Sequence, residues 1–266
     1  MRMLVDVRDK VAIVTGAGKG IGREILKTFA EEGAITVALD VSQSDLDDLA
    51  ADLKAGGYAG SQYVCDVRDF GRIREIVGEV VDRYGRIDIL INNAGVAGDG
   101  WVDEISEEAW DFCVDVNLKG TFLMCKAVVP VMKKQRYGRI LNAASFAAII
   151  PSIGSSAYAA AKAGVEQFTR VLAGEVGPWN ITVNAYAPGM IPTTLNHFDK
   201  LPAEKQERLL DSLTLRKWGD RRDVARLLVF LASDYASYIT GTMIDVSGGK
   251  FATQFPRVAY EKAGML

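Results

Sequence analysis

The chain has 266 residues, of which 49% are hydrophobic and 24% charged, a composition that suits one large α/β domain. Its net charge is −3 with no basic stripe or tail, which argues against nucleic acid and anionic membranes as partners. The N-terminus is interrupted by charges and has no apolar signal core, so we expect a cytoplasmic protein.

Apolar strands alternate with amphipathic helices along the chain. Strands are predicted at residues 10–15, 34–40, 61–65, 87–91, 138–144, 181–185 and 243–246. Helices are predicted from the turn after the first strand to Gly33, and at residues 44–54, 69–84, 106 to about 135, 156–177 and 222–232. This alternation predicts a doubly wound parallel sheet with helices on both faces, in a single domain covering residues 1–266.

The first strand runs into a glycine-rich turn that opens a helix. The turn reads Gly16-Ala17-Gly18-Lys19-Gly20-Ile21-Gly22. A strand, a glycine-rich turn and a helix in this order are typical of dinucleotide binding, because glycines let the backbone approach the pyrophosphate and the helix N-terminus offers amides to it.

Asp40 ends the second strand, 18 positions after Gly22, near the spacing expected for a carboxylate that binds the adenosine ribose. It would repel a 2′-phosphate by roughly 4 kcal/mol per unit charge at about 4 Å if the effective dielectric is about 20. Lys19 favours NADP instead, since a basic residue in the turn can bind the 2′-phosphate. The alternative is that Asp40 ends the strand and caps the next helix. We rank ribose binding first, which favours NAD over NADP.

Four of these polar or glycine positions follow predicted strands: Gly16, Asp40, Asp66 and Asn93. Ligands of parallel sheets bind at the carboxyl ends of the strands, so we expect these residues to share one edge.

Residues 140–162 carry no charge before Lys162, but Asn142 and Pro151 argue against a membrane span. We predict a buried strand, a loop that contains Ser145, and a helix on which Tyr158 and Lys162 lie one turn apart. A phenol has a pKa of about 10, and lowering it to about 7 takes roughly 4 kcal/mol, which one lysine in a partly desolvated pocket, helped by a cationic ring nearby, can supply. The alternative is an exposed helix face.

The periodic pattern weakens over residues 190–218, where prolines and a charged stretch predict a loop with short helices. A segment of this kind inside a compact domain is often a substrate lid. Residues 248–266 give no clear pattern.

The cysteines and the histidine offer no metal site. Cys65, Cys113 and Cys125 include no Cys-x-x-Cys pair, and the last two fall on one predicted helix, about 18 Å apart by helical rise. His197 lies in a polar segment with no orienting carboxylate, so we expect neither a zinc site nor a histidine-based triad.

Together these residues resemble the short-chain dehydrogenase/reductase family over about residues 7–249. The motifs are Thr15-Gly16-x-x-x-Gly20-x-Gly22, Asp66-Val67, Asn92-Asn93-Ala94-Gly95, Asn117, Ser145, Tyr158-x-x-x-Lys162 and Pro188-Gly189-x-x-x-Thr193. The resemblance implies a Rossmann-like seven-stranded parallel sheet and an enzyme that moves hydride between a nicotinamide and a carbonyl or alcohol.

The resemblance also implies a role for each motif residue. Tyr158 would be the acid/base on the substrate oxygen, Ser145 would bind that oxygen, Lys162 would lower the Tyr158 pKa and hold the nicotinamide ribose, and Asn117 would hold a water in a proton relay. From its own sequence context, Asn117 is equally a solvated helix position. The residues expected to bind the cofactor are Gly16, Gly18, Lys19, Gly20, Ile21, Gly22, Asp40, Asp66, Val67, Asn93, Ala94, Gly95, Tyr158, Lys162, Pro188, Gly189, Ile191 and Thr193.

Our leading expectation is an NAD-dependent oxidoreductase acting on a secondary alcohol, polyol or sugar. The alternative is a 3-oxoacyl-[acyl-carrier-protein] reductase, a group that the chain also resembles and that usually uses NADPH; a noncatalytic nucleotide-binding protein is less favoured. The substrate pocket would be lined by residues 146–150, the lid and Trp101, with Arg216 and His197 as further candidates. The family also suggests a homo-oligomer, a tetramer or dimer, packed through the helices from Ser106 and Ser156.

Overall fold

The computed structural model describes residues 5–193 and 196–266. Its seven strands are all parallel and lie in the order β3-β2-β1-β4-β5-β6-β7. They are β1 Val11–Thr15, β2 Ile35–Asp40, β3 Gly60–Val64, β4 Ile89–Asn92, β5 Gly138–Ala143, β6 Ile181–Pro188 and β7 Met243–Val246. The strand order reverses between β1 and β4, which makes their carboxyl ends the expected place for a ligand. The predicted doubly wound, Rossmann-like sheet is confirmed.

Helices cover both faces of this sheet. They are α1 Gly20–Glu31, α2 Gln43–Ala55, α3 Phe70–Tyr84, α4 Glu107–Val114, α5 Gly120–Gln135, α6 Ser156–Val176, α7 Ala203–Leu210, α8 Arg221–Ala232 and α9 Arg257–Lys262. One buried cluster packs α1, α2 and α8 on one face, and a second packs α3 and α5 on the other. The strands between the two clusters are mainly apolar because both of their faces are buried, although β5 and β6 also bury polar residues such as Arg139, Asn142 and Asn184.

The predicted helix from residue 106 to about 135 is not one regular α-helix. Ser106 does cap α4, its hydroxyl accepting from the amide of Ala109 at 3.2 Å. A five-residue π-helical turn, Asp115–Lys119, then separates α4 from α5. The hydroxyl of Thr121 donates to the carbonyl oxygen of Asn117 at 2.9 Å, which satisfies an acceptor inside the widened turn. π turns often occur at functional sites, and this one contains a residue singled out from the sequence.

The predicted lid, residues 190–218, contains short helices as expected, although residues 194 and 195 lie outside the described part of the chain. A 3₁₀ turn, Phe198–Lys200, precedes α7. The rings of Phe198 and Trp218 stack at 5.8 Å between centroids, which joins this turn to the last residue of the segment. The C-terminal segment, which has no clear sequence pattern, forms α9 and packs on the lid through a hydrogen bond from the Tyr260 hydroxyl to the Thr214 carbonyl at 3.0 Å.

Candidate active site

The turn after β1 forms a tight cradle that only glycine fits at two positions. Gly16 has a left-handed φ of 64°, and a Cβ there would lie 2.9 Å from the Cα of Ala94. A Cβ on Gly22 would lie 2.0 Å from the carbonyl oxygen of Gly16. The start of α1 therefore packs against the turn itself, while a Cβ on Gly20 would meet no atom within 4 Å, so this part of the turn faces open space.

The cradle is fixed to β4 by a polar network around Asn93. The amide group of Asn93 donates to the carbonyl oxygens of Thr15 at 3.2 Å and Gly16 at 3.3 Å. The Thr15 hydroxyl accepts from the backbone amides of Asn93 and Ala94, both at 3.0 Å. The hydroxyl of Tyr186, a fully buried residue of β6, donates to the Asn93 side-chain oxygen at 3.3 Å. Three strand ends are thus held together at the switch point of the sheet.

Asp40 faces the glycine turn from the end of β2. Its two carboxylate oxygens accept from the backbone amides of Gly18 at 2.9 Å and Ser42 at 3.1 Å. It does not cap α2, because the side chain of Ser42 does so by accepting from the amide of Asp45. Lys19 extends toward Asp45, with 3.7 Å between its amine and the carboxylate. Two carboxylates therefore border the side of the turn where a ribose would lie.

The other residues predicted to contact a cofactor also lie near this edge. Asp66 is paired with Arg68 at 2.6 Å, and this guanidinium lowers the pKa of the carboxyl, while Val67 is buried beside Gly120. A Cβ on Gly189 would lie 2.4 Å from the Cα of Ser247, so the segment after β6 approaches the segment after β7 closely. Gly20 is half-buried beside open space, Ile21 packs on the core, and Gly95 is exposed. Pro188 ends β6, Ile191 is buried, and the backbone amide of Thr193 donates to the side chain of Asn196.

Ser145, Tyr158 and Lys162 meet at the carboxyl ends of β5 and β6. The Ser145 side chain lies close enough to Tyr158 to lower the pKa of the phenol as a hydrogen-bond donor. The amine of Lys162 donates to the carbonyl oxygen of Ala143 at 2.8 Å and lies 5.5 Å from the centroid of the Tyr158 ring. Lys162 is 3% exposed, so the alternative of an exposed helix face is wrong.

Burial sets the protonation of this pair. Desolvation lowers the pKa of Lys162 to about 8. Desolvation also raises the pKa of Tyr158, and the hydrogen bond with Ser145 only partly opposes this. In the protein alone, desolvation disfavours the phenolate more than its neighbours favour it, and the lowering of the Tyr158 pKa by Lys162 together with a cationic ring stays a prediction. Tyr158 is a neutral phenol at neutral pH and can donate a proton.

Asn117 is fully buried, so its interpretation as a solvated position is wrong. Its side-chain NH₂ donates to the carbonyl oxygens of Val96 at 2.9 Å and Cys113 at 2.8 Å. Its oxygen has no hydrogen-bond partner within the described residues. A Cβ on Gly95 would meet this oxygen at 2.7 Å and the Lys162 amine at 3.5 Å, so both border the same glycine. An orphaned acceptor beside an amine fits a bridging water.

Three residues near the site escaped the sequence reasoning. The thiol of Cys113 lies 3.4 Å from the Asn117 amide nitrogen, one helical turn before it, and burial raises its pKa. Tyr186 supports Asn93 from β6. Lys250 lies beside Phe146, its amine 5.8 Å from the ring centroid. For Cys113 the available signal was its spacing of four from Asn117; for Lys250 it was a charge directly after the glycines that follow β7.

The residues expected to contact the substrate lie next to Ser145, in the loop that contains Trp101, and on the lid. Residues 146–148 form a 3₁₀ turn next to Ser145, and Trp101 is 61% exposed at the neighbouring loop. Arg216 is not available for a ligand, since its guanidinium pairs with Glu207 and, at 2.9 Å, with Asp211. His197 is exposed on the lid. Within residues 5–193 and 196–266 no group of three or more side chains is arranged to hold a metal ion, and none of the helices found there is long and apolar enough to span a membrane.

Known proteins share this arrangement of elements. A family model described as Enoyl-(Acyl carrier protein) reductase matches residues 16–250. The 3-oxoacyl-[acyl-carrier-protein] reductase FabG of Thermotoga maritima is 43% identical over 240 residues, covering 90% of this chain and 97% of that protein. The (2S)-[(R)-hydroxy(phenyl)methyl]succinyl-CoA dehydrogenase subunit BbsD of Thauera aromatica is 38% identical over 92% of this chain and 97% of its own length. The crystal structure of levodione reductase superposes with a TM-score of 0.88 at 34% identity, covering 93% of this chain and 99% of that one.

Proposed function

Because the chain belongs to the short-chain dehydrogenase/reductase family and is an oxidoreductase, we propose that it interconverts 3-oxoacyl and 3-hydroxyacyl compounds with NAD(H). The observation that carries the proposal is the meeting of Ser145, Tyr158 and Lys162 beside the glycine cradle. On the substrate, the relatives favour the alternative from the sequence over a polyol or sugar, since two of them are named for acyl compounds. On the cofactor, Asp40 favours NAD over the NADPH of that alternative.

The proton comes from Tyr158. Burial keeps its phenol neutral, so it can hydrogen-bond a ketone oxygen and deliver the proton as negative charge develops there. The Ser145 hydroxyl, next to the same phenol, would donate to the same oxygen and stabilise that charge. In the reverse direction Ser145 and Tyr158 hydrogen-bond the hydroxyl group of the alcohol, and its proton passes back to Tyr158.

After Tyr158 has given its proton to the substrate, a new proton would reach it through Lys162. Lys162 is the adjacent titrating group, and a water bound to the orphaned oxygen of Asn117 would connect its amine to solvent past the exposed Gly95. The π turn places Asn117 for this role by directing its side chain into the interior.

The glycines of the cradle and the donors around it fit a dinucleotide. Gly16, Gly20 and the first turn of α1 would hold the pyrophosphate, Asp40 the adenosine ribose, and Lys162 the nicotinamide ribose. When bound, the nicotinamide supplies or accepts the hydride. Asn93 keeps the floor of the cradle rigid through its bonds to Thr15 and Gly16.

The test is the Tyr158→Phe variant, which removes only the hydroxyl. Turnover of a 3-oxoacyl N-acetylcysteamine thioester with NADH should fall at least about 100-fold, the usual range for losing a general acid. The NADH Kd, followed by cofactor fluorescence, should stay within about threefold. Tyr63→Phe, on the edge strand β3, is the matched control and should behave as wild type. Unchanged kcat in Tyr158→Phe would contradict the assigned role.

We further propose that copies of this chain associate through α4, α5 and α6. Support comes from large apolar side chains exposed there: Phe112 at 43%, Phe122 at 42% and Val171 at 61%. Light scattering on the purified protein should give a dimer or tetramer, and Phe122→Glu should lower the mass. A monomer at micromolar concentration would contradict this proposal.

A further inference from the structure

Lys250 lies where three parts of the chain meet, at the carboxyl end of the sheet. It follows Gly248 and Gly249, just after β7. Its amine donates to the hydroxyl of Ser212 at 2.7 Å and lies 5.8 Å from the centroid of the Phe146 ring. Phe146 directly follows the proposed catalytic Ser145, and Ser212 belongs to the predicted lid. The amine therefore joins the two segments expected to line the substrate pocket.

The charge of Lys250 is left without an anion. An ammonium has three N–H donors, and within residues 5–193 and 196–266 only the Ser212 hydroxyl accepts one of them. The Ser212 hydroxyl itself donates to the Leu209 carbonyl at 2.6 Å, so it positions the amine rather than neutralising it. No carboxylate in the same ranges forms an ion pair with it, whereas Arg216 nearby pairs with two.

The amine of Lys250 is partly buried, which adds a desolvation cost to its unpaired charge. Desolvation alone lowers the pKa of Lys250, with no neighbouring charge opposing it. A half-buried ammonium without a partner is unfavourable, and an anion that enters the pocket would relieve that cost.

We propose that Lys250 binds a carboxylate carried by the substrate, so that the compound reduced is an oxo acid or an oxoacyl thioester that bears a separate carboxylate. A carboxylate suits the two remaining donors of a single amine. A phosphate is less suited because the other cation near this wall, Arg216, is already neutralised by Glu207 and Asp211. The proposal rests on the function assigned above and specifies its substrate class.

The experiment compares ketones in pairs that differ only in charge. The 2-oxo, 3-oxo and 4-oxo acids of four to six carbons are each assayed against their methyl esters, with NADH in excess. Wild type is compared with Lys250→Met, which keeps the length of the side chain, and with Lys262→Met, which removes one exposed charge from the same C-terminal segment. Unfolding midpoints and NADH Kd values establish that the variants are folded and bind the cofactor.

In at least one pair we expect wild type to prefer the acid by about tenfold or more. Lys250→Met should lower kcat/KM for that acid by roughly tenfold or more, mainly through KM, as expected for one lost charge-assisted hydrogen bond. Its activity on the ester and all activities of Lys262→Met should be unchanged. The proposal is overturned if wild type uses every ester as well as its acid, if Lys250→Met keeps the preference, or if 2-oxopropylphosphonate is preferred to 3-oxobutanoate.

A second measurement separates this proposal from the function on which it rests. Butanoate and butanamide are titrated calorimetrically into the NADH complex of each variant. If no ketone is turned over, the proposed reaction fails, and Lys250 is judged by binding alone. Butanoate binding that is lost in Lys250→Met and kept in Lys262→Met upholds the carboxylate site; equal binding of butanoate and butanamide by wild type overturns it.

Discussion

Replacing Asp40 by asparagine should shift cofactor preference toward NADP. Asp40 is 9% exposed, and both of its oxygens point at the segment that would hold the adenosine ribose, through Gly18 and Ser42. An asparagine side chain would keep the shape and the acceptor for Gly18 but would remove the charge. The Asp40→Asn variant therefore isolates electrostatic repulsion from the architecture of the turn.

The size of the shift follows from Coulomb's law. At about 4 Å one unit charge repels another by about 1 kcal/mol in water and about 4 kcal/mol at an effective dielectric of about 20. At about 1.4 kcal/mol per tenfold change, removing the charge should raise the ratio of NADPH to NADH affinity by between about fivefold and about a thousandfold. Lys19 limits the gain, because its amine is already paired with Asp45 at 3.7 Å.

The assay is fluorescence titration with NADH and NADPH, which requires no substrate. Asp48→Asn, on the exposed face of α2, is the control for a general change of charge and should leave the ratio unchanged. The loss of the acceptor for Ser42 should cost about 1 kcal/mol of stability, measurable by urea unfolding. A ratio within about twofold of wild type in a folded Asp40→Asn protein would refute the reasoning, as would a wild type that binds NADPH more tightly than NADH.

Three further outcomes follow from the described contacts. Gly22→Ala should abolish NADH binding in a fluorescence titration, because its Cβ would lie 2.0 Å from the Gly16 carbonyl oxygen. Gly20→Ala meets no protein atom within 4 Å, so urea unfolding should show only the roughly 1–2 kcal/mol cost of its left-handed backbone. Since the folded pKa of Lys162 is lowered to about 8 from 10.5, its buried ammonium costs stability below pH 8 and this cost fades as the pH rises. The urea stability of wild type relative to Lys162→Met should therefore rise by about 2 kcal/mol between about pH 7 and pH 10, and a flat difference would contradict the shift. Tyr186→Phe should lower stability by about 1 kcal/mol and weaken NADH binding severalfold, as it frees the Asn93 side chain; unchanged values of both would show that this hydroxyl is dispensable.

The sheet could be predicted because its central strands are buried on both sides. Such strands read as short apolar runs, and β1, with five buried residues in succession, is the clearest case. The glycine turn was equally readable, since its conformations exclude most other residues. The edge strand β3 carries only alternating, partly exposed residues, so its apolar signal is weaker, and the strand predicted at residues 61–65 is observed one residue earlier, at Gly60–Val64.

Contacts between distant segments escaped prediction for a physical reason. The π turn at Asn117 depends on a hydrogen bond from Thr121 and on the burial of both residues, neither of which leaves a periodic signal. Tyr186 and Lys250 matter through what they touch across the sheet end, and such partners are set by strand order. A pattern along one segment cannot contain that information.

The pair at the centre of the site shows how far spacing can be trusted. A separation of four on α6 correctly predicted that Tyr158 and Lys162 lie together, because helix geometry alone decides it. Spacing alone does not give the direction of the Tyr158 pKa, because that depends on how much water the fold removes from both groups, and with the protein groups alone burial raises it. The same desolvation that keeps Tyr158 protonated also lowers the Lys162 pKa to about 8, so the positive charge beside the phenol is itself lost as the pH rises above that value. The protein groups by themselves therefore keep Tyr158 protonated, and holding it as a phenolate would need a further positive charge beside it, such as the cationic ring expected from the sequence.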